Sequence, residues 1–487
     1  MPQFIVIAAK LLEELVNYSK RFSDGIGYRF TSKSIRLTAL TGAAATEIGG
    51  TTTASTFNYM KKKCHATAEE IEDFADTRMN IIDEISFADY KNVLTKISKN
   101  LQQYTPQSTS VYGSIAMVFL GDFCQLESIS KDCIYKHADG YLWGNALNCM
   151  VELKGTHRYA GCPFLKVIIP QMREHGLTDE HRDILHTRLI NQNGITMPDP
   201  ATTRFATFDN KTRCQINADV FKSNLQTYHK TCGSQTICRT AIVIKANAEW
   251  GNGKPLSFRA RKKLFEEVSE ADITTDRNTR CDPLLCLYDG CNMMGTTNTD
   301  VENGIANGTT CTFKKVVLLQ GKSPHQIRMY GYWVYAISVN DVEYMELNFQ
   351  DSSRFVGRFR VSPKKMLYTV NIPTSKESRE QGAPRTVENK MHLTQFPVVV
   401  NHATTVHKLQ GKTMDRLVIA QWSAHKNWAY VAISRVRTLA GLYLTKPIKD
   451  NIDFCPIPEY LDMMANFRKQ FLALPEDVRE LKLKLNL

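Results

Sequence analysis

The amino-acid sequence predicts an α/β protein with parallel sheets and, in its second half, an inserted all-β region. Ile81–Ile82 and Ile115–Leu120 are short apolar runs, typical of strands that are buried on both faces of a parallel sheet. Acidic residues follow each run, and parallel α/β sheets place such residues at the carboxyl edge, where ligands bind. Between residues 309 and 374 the sequence changes to short β-type runs separated by Gly, Asp, Asn and Pro, which predicts a small antiparallel barrel or sandwich.

Length, composition and charge restrict the class of protein. A chain of 487 residues is too long for a single hydrophobic core, so several domains are expected. The net charge of +12 permits a polyanionic partner such as nucleic acid. No apolar run has the length of a membrane span, and no Lys or Arg precedes the apolar stretch Phe4–Ala9, so neither an anchor nor a secretory signal is expected. The 13 scattered cysteines favour reduced thiols in an intracellular protein.

The first predicted strand, Ile35–Ala39, is followed by small and hydroxyl residues. They read T-G-A-A-A at Thr41–Ala45 and I-G-G-T-T-T at Ile48–Thr53. Such a loop lets a nucleic-acid backbone come close, with Thr hydroxyls and backbone N–H groups bonding phosphate. A plain turn with a capped helix explains the same residues equally well.

The stretch M-N-I-I-D-E-I-S at Met79–Ser86 ends an apolar strand in two adjacent acids. Asp83 could hold a metal ion through water, and Glu84 could polarise an attacking water molecule. The alternative is a strand that ends in a solvated acidic turn. The second apolar strand ends in G-D-F-C-Q-L at Gly121–Leu126. Its Gln125 could sense a terminal phosphate, because an amide both donates and accepts hydrogen bonds.

Three further motifs follow in the second half of the chain. They are L-K-G-T-H-R-Y at Leu153–Tyr159, T-T-V-H-K-L-Q-G at Thr404–Gly411 and Y-V-A-I-S-R-V-R at Tyr430–Arg437. The two arginines of the last motif could reach phosphate as an arginine finger. A surface helix carrying two cations is the alternative.

Taken in order from about residue 35 to 445, these motifs resemble those of the Pif family of superfamily-one DNA helicases. The resemblance implies two RecA-like domains of the P-loop NTPase class, with ATP in the cleft between them and single-stranded DNA running across both. It places the first domain at 1–153, the second at 154–300 and 390–487, and a small Src-homology-three-like β-barrel insertion at 301–389. Family members move 5′ to 3′, so this polarity is implied for unwinding.

The resemblance also implies roles for individual residues. Asp83 would bind Mg²⁺ and, through it, the nucleotide. Glu84 would activate the attacking water. The residues implied to contact the nucleotide's phosphates or to lie near it are Gln125, Arg158, Gln410, Gly411 and Arg435. Those implied to line the DNA track are Thr41, Thr52, Thr405, His407 and Lys408.

Partners and location follow from the same resemblance. It implies ATP and Mg²⁺ as cofactors, single-stranded DNA and duplex junctions as partners, no membrane partner and a monomeric state. Family members act in DNA repair, recombination and telomere maintenance. A nuclear location is expected, with the mitochondrion as the other compartment.

The sequence departs from the family at its phosphate-binding loop. Such helicases carry G-x-x-x-x-G-K-[ST] ahead of T-G-A-A-A, but here that distance falls on F-I-V-I-A-A-K at Phe4–Lys10, which has no glycine. Elsewhere, Gly321-Lys322-Ser323 and Gly411-Lys412-Thr413 lack the first glycine. The loop supplies several charge-assisted hydrogen bonds of about 1.5–3 kcal/mol each, so its loss predicts poor or no ATP hydrolysis.

Two explanations remain open at this stage. The sequence is either an N-terminally truncated copy of an active helicase, which we expect, or a non-catalytic single-stranded nucleic-acid-binding protein on a helicase fold. Retained Asp83, Glu84, Gln125, Arg158 and Arg435 favour the first. A metal-dependent nuclease using Asp83, Glu84 and Asp122 is a third class, but it leaves the Gln and Arg residues unexplained.

Overall fold

A computed structural model describes residues 31–60, 65–106, 108–128, 132–153, 157–233, 236–270, 280–299, 305–349, 357–374, 384–449, 452 and 454–471. The segment Phe4–Lys10, where the phosphate loop was expected, lies outside these ranges. Among the described residues, every helix is too short or too polar to cross a lipid bilayer.

The secondary structure alternates helices and strands in the first part of the chain and is strand-rich from residue 238 to 405. The α-helices are α1 Gly42–Glu47, α2 Thr53–Phe57, α3 Ala68–Phe74, α4 Thr95–Tyr104, α5 Pro163–Glu174, α6 Asp179–His186, α7 Asn210–Cys232, α8 Phe258–Ser269, α9 Trp428–Ile433 and α10 Pro458–Phe471. The strands are β1 Ile35–Ala39, β2 Thr51–Thr52, β3 Met79–Asp83, β4 Ala116–Phe119, β5 Arg204–Thr207, β6 Cys238–Lys245, β7 Asn247–Trp250, β8 Leu284–Tyr288, β9 Asn292–Gly295, β10 Thr310–Leu318, β11 His325–Met329, β12 Tyr332–Ser338, β13 Val342–Phe349, β14 Gly357–Val361, β15 Lys364–Pro373, β16 Thr386–Gln395, β17 Val398–Val400, β18 Ala403–Thr405, β19 Leu417–Ile419 and β20 Leu442–Leu444.

The chain divides into two compact units. The first contains the residues up to Ile195, Leu409–Asp415 and those from Trp422 onward, and the second contains Thr196–Lys408 and Arg416–Gln421. The two are described separately below.

The first unit is built on a parallel sheet with the strand order β2-β1-β3-β4. Its register pairs Ala39 with Asp83 and Ile82 with Phe119. The expectation that the two acid-terminated strands belong to one parallel sheet is therefore confirmed, and the structure shows that they are neighbours. Because β3 and β4 are parallel, the segments that follow them emerge at the same edge of the sheet.

The second unit also contains parallel strands, in the order β18-β5-β19. Helix α7 follows β5 and is capped by Asp209, whose carboxylate accepts from the Thr212 N–H at 2.6 Å. Gly233, with φ of +91°, follows the last residue of this helix.

Three sheets form the strand-rich part of the second unit. Their orders are β14-β13-β10-β9-β17, β11-β12-β6-β8 and β15-β16-β7. Strands β6 to β9 precede residue 301 and β17 follows residue 389, so these sheets combine strands from inside and outside the expected insertion. Strand β12 even pairs in parallel with β6. The β-type runs are confirmed as strands, whereas the Src-homology-three-like topology and the domain boundaries stay predictions.

Candidate active site

The two adjacent acids lie at the carboxyl edge of the first unit's sheet. Asp83 is the last residue of β3, and both Asp83 and Glu84 are buried. Glu84 has the left-handed backbone conformation, with φ of +57°, which costs a non-glycine residue about 1 kcal/mol or more. Gly121 lets the segment after β4 approach closely, because a Cβ there would lie 2.8 Å from Ile85 Cγ2.

The Q-G pair of the motif at Thr404–Gly411 lies against Glu84. Gln410 Nε2 donates to Glu84 Oε2 at 3.1 Å, across 326 residues of sequence. A Cβ added to Gly411, whose φ is +81°, would lie 3.6 Å from Glu84 Oε1. The structure therefore brings together three predicted site residues from two distant motifs.

Burial dominates the electrostatics of the acids. It raises the pKa of Asp83 to about 7, and the neighbouring charge of Glu84 acts in the same direction. Burial also raises the pKa of Glu84, opposed by the hydrogen bond from Gln410 and by the charge of Arg435. A cation beside these groups would favour their ionised forms.

Gln125 is held in place by the residues around Asp122. Its Nε2 lies 3.4 Å from Asp122 Oδ2, and its backbone carbonyl accepts from Asn427 Nδ2 at 2.8 Å. The Tyr430 hydroxyl donates to Asp122 Oδ2 at 3.1 Å, and Arg173 Nη2 lies 3.5 Å from Asp122 Oδ1. Helices α5 and α9 thus contribute the side chains that fix the loop carrying Gln125.

The two predicted phosphate-contacting arginines converge on Ser434. Arg158 Nη1 donates to the Ser434 carbonyl at 2.9 Å, and Arg435 Nη2 donates to the Ser434 hydroxyl at 2.7 Å. Arg435 is buried, and its pKa is lowered first by burial and then by the charge of Arg158. The charge of Glu84 acts on its guanidinium in the opposite direction.

Glu47, the last residue of α1, was missed by sequence reasoning. Burial raises its pKa to about 7, the charge of Lys412 opposes that rise, and the charge of Glu84 adds to it. Arg158 and Arg435 also act on this carboxyl. The available signal was its position on the helix after β1, because that helix begins at the same sheet edge as Asp83.

Two of the predicted DNA-contacting residues are helix caps in the first unit. The side chain of Thr41 accepts from the Ala44 N–H at 3.2 Å, and that of Thr52 accepts from the Ser55 N–H at 3.3 Å. Capping, the alternative considered from sequence, is therefore present at both threonines. It leaves each hydroxyl hydrogen able to donate.

The other three predicted DNA-contacting residues belong to the second unit. Thr405 ends β18 and is half-buried, whereas His407 and Lys408 are exposed. Lys408 Nζ lies 3.0 Å from Asn307 Oδ1. All of the assigned roles stay predictions.

Comparison with known proteins shows what the chain is similar to. No protein-family model matches it. The ATP-dependent DNA helicase Pif1 of Bdellovibrio bacteriovorus is 24% identical over 430 residues, which cover 85% of this chain and 78% of that protein. The ATP-dependent DNA helicases PIF1 of Candida albicans and Danio rerio are 21% and 24% identical, each over 84% of this chain. The chain spans about half the length of these two relatives, 49% and 54%.

Solved structures show the same fold. The Pif1 helicase from Bacteroides in complex with ADP-AlF3 and ssDNA has a TM-score of 0.59 at 20% identity, covering 90% of this chain and 89% of that one. The Pif1 helicase from Candida albicans has a TM-score of 0.59 at 19% identity, covering 94% and 93%. Together with the sequence relatives, these matches span most of the chain.

The chain is similar to Pif1 helicases over most of its length. The family resemblance stated from the motifs is therefore confirmed. The likeness to Pif1 helicase structures and the parallel sheets also confirm the α/β, RecA-like fold class. No comparison tests the roles of individual residues.

Proposed function

We propose that this protein is an ATP-dependent DNA helicase that unwinds duplex DNA 5′ to 3′. The observation that carries the proposal is the cluster around Glu84, in which Gln410 donates to the carboxylate and Arg435 lies within electrostatic range. A buried acid beside a buried arginine and an amide suits cleavage of a phosphoanhydride by water. The similarity to ATP-dependent Pif1 DNA helicases supports the same reaction.

The residues present fit Mg²⁺ and ATP. Asp83 and Glu84 offer buried carboxylate oxygens, the ligands that Mg²⁺ prefers, and burial raises the pKa of both. Among the described residues, the side-chain oxygens of Gln125 and Gln410 are buried without a hydrogen-bond partner. Bound Mg²⁺ would neutralise charge on the β- and γ-phosphates. Since the described residues contain no group of three potential ligands, Asp83 would hold the ion together with water and phosphate.

Each residue of the cluster then has a distinct proposed task. Glu84, oriented by Gln410, accepts a proton from the attacking water. Gln125 contacts the terminal phosphate, and Arg158 and Arg435 stabilise the negative charge that develops on it. Gly411 keeps the space beside Glu84 free of a side chain.

The proposed partners are single-stranded DNA and duplex junctions. Thr41 and Thr52 in the first unit and Thr405, His407 and Lys408 in the second would contact the strand, chiefly through phosphate. We further propose a monomer that acts inside the cell in DNA repair, recombination and telomere maintenance, in the nucleus or the mitochondrion. The net charge of +12 suits a DNA-binding protein.

The second candidate function is a non-catalytic single-stranded nucleic-acid-binding protein on the same fold. A protein with the DNA-binding surface but without the loop's Lys and N–H groups would bind single strands in a salt-sensitive way that ATP does not alter. The two candidates differ in whether nucleotide has any effect.

The test compares DNA-stimulated ATP hydrolysis by the chain as printed and by a fusion that adds a relative's first strand and phosphate loop before Met1. If the protein is a helicase, the fusion should hydrolyse ATP. Glu84→Gln in the fusion should abolish hydrolysis, whereas Glu69→Gln, which changes an exposed acid of α3, should retain it. A fusion that binds DNA without hydrolysis supports the binding protein. Absence of DNA binding by both proteins refutes both functions.

A further inference from the structure

A basic and aromatic surface lies at the start of α8 in the second unit. We call it the α8 patch and define it as Lys254, Phe258, Arg259 and Arg261. Phe258 is 84% exposed, and the three cations are also exposed. None of these residues belongs to the motifs assigned above.

The cations of the α8 patch differ from those further along the same helix. Lys262 and Lys263 have ion-pair partners in Glu266 and Glu267, at 3.4 to 3.9 Å. Within the part of the chain that the structure describes, Lys254, Arg259 and Arg261 have no hydrogen-bonded or ion-paired side-chain partner. The helix neutralises its own charge in its second half and leaves its first half positive.

This arrangement disfavours the isolated helix. The first turn of α8 contains no acidic residue, and cations there interact unfavourably with the helix dipole. The exposed Phe258 side chain also lacks the burial in an apolar environment that would stabilise it. A negatively charged ligand with apolar faces would compensate for both.

The patch has a fixed support. Ala260, Leu264 and Val268 of α8 are buried in a core formed with β7, β15 and β16. Ser257 caps the helix by accepting from the Ala260 N–H at 3.3 Å. Because residues three apart lie on the same helix face, Phe258 and Arg261 project from the helix as neighbours.

We propose that the α8 patch binds single-stranded DNA. Phe258 offers a surface on which an unpaired base stacks, and the arginines contact the phosphates on either side. The choice of DNA over other polyanions rests on the proposed function. A lone aromatic residue among cations matches a strand of alternating bases and phosphates better than a lipid surface, which requires a wider apolar face.

The test measures binding of a fluorescein-labelled oligothymidylate by anisotropy over a series of KCl concentrations. Phe258→Ala should weaken binding about 5- to 150-fold through lost stacking, with the salt dependence retained. The double variant R259A/R261A should also bind less tightly, and its slope of log K against log salt should fall by about 1.4. Controls are Phe164→Ala, a half-exposed phenylalanine of α5, and K96A/K99A, two exposed cations of α4; both should bind like the wild type.

Each outcome decides the inference. Unchanged affinity in Phe258→Ala and an unchanged salt slope in R259A/R261A would overturn it, while wild-type binding would leave the proposed function intact. No binding by the wild type would overturn both. Binding to phosphatidylserine vesicles that depends on Phe258, without an effect on DNA, would instead assign the patch to a membrane surface.

Discussion

Removing the Tyr430 hydroxyl tests whether a charge-assisted hydrogen bond anchors the loop that carries Gln125. The hydroxyl donates to Asp122 Oδ2 at 3.1 Å, and burial together with the Asp122 charge raises the pKa of Tyr430. It therefore stays protonated and remains a donor. In Tyr430→Phe the ring keeps its packing, but Oδ2 retains only the Gln125 amide at 3.4 Å.

The expected loss of unfolding free energy in Tyr430→Phe follows from the negative charge of the Asp122 carboxylate. Hydrogen bonds to charged groups contribute about 1.5–3 kcal/mol, against about 0.5–1.5 kcal/mol for neutral pairs. Asp122 Oδ1 keeps the Cys124 N–H at 3.0 Å, so we expect about 2 kcal/mol rather than the upper limit. Tyr112→Phe is the matched control, because that buried hydroxyl donates to the neutral Leu142 carbonyl at 2.5 Å. Its loss should be about 1 kcal/mol.

The assay is urea unfolding at pH 7, followed by fluorescence, for both variants and for Asp122→Asn alone and combined with Tyr430→Phe. The losses of Tyr430→Phe and Asp122→Asn should not add fully, since Asp122→Asn removes the charge that strengthens the bond lost in Tyr430→Phe. Equal losses in the two tyrosine variants, or additive losses in the double variant, would refute the reasoning.

Three further predictions concern other parts of the molecule. Burial lowers the pKa of His402 from 6.5 to about 4, so its contribution to stability is present above pH 6.5 and is lost as the pH falls towards 4. Urea titrations at pH 7 and pH 5 give the free energy of unfolding at each pH. Its decrease from pH 7 to pH 5 should be about 2 kcal/mol smaller in His402→Gln than in the wild type. Equal decreases in the two proteins would contradict this. Gly411→Ala should lower the free energy of unfolding by about 1–3 kcal/mol, because Gly411 has a positive φ. Gly161→Ala should have almost no effect, because the space around Gly161 is open. Similar melting temperatures of the two variants would exclude backbone strain at residue 411. If the Thr41 cap stabilises its helix, Thr41→Ala should lower the free energy of unfolding by about 1 kcal/mol and Thr41→Ser should leave it almost unchanged. Equal unfolding midpoints of the two variants would refute the capping role.

Local patterns predicted a large part of this fold. The apolar runs before Asp83 and Gly121 were enough to predict two strands of one parallel sheet, because strands buried on both faces need continuous apolar sequence. The motif order was enough to predict the family, which the relatives confirm. It also implied that Gln410 lies near the nucleotide, whereas the hydrogen bond from its amide to Glu84, across 326 residues, was seen only in the structure.

Contacts between distant segments could not be predicted in the same way. Nothing near Asp122 in the sequence indicates that Tyr430 and Arg173 bind its carboxylate, and no motif marked Glu47.

The sequence by itself therefore determined the strands, the family and the kinds of side chain available, since these depend on local residue order. Only the tertiary structure decided which side chains meet, how far burial raises the pKa values of Asp83 and Glu47, and which cations lack partners. Desolvation and close contact depend on every segment packed around a group, and a linear pattern carries no record of them.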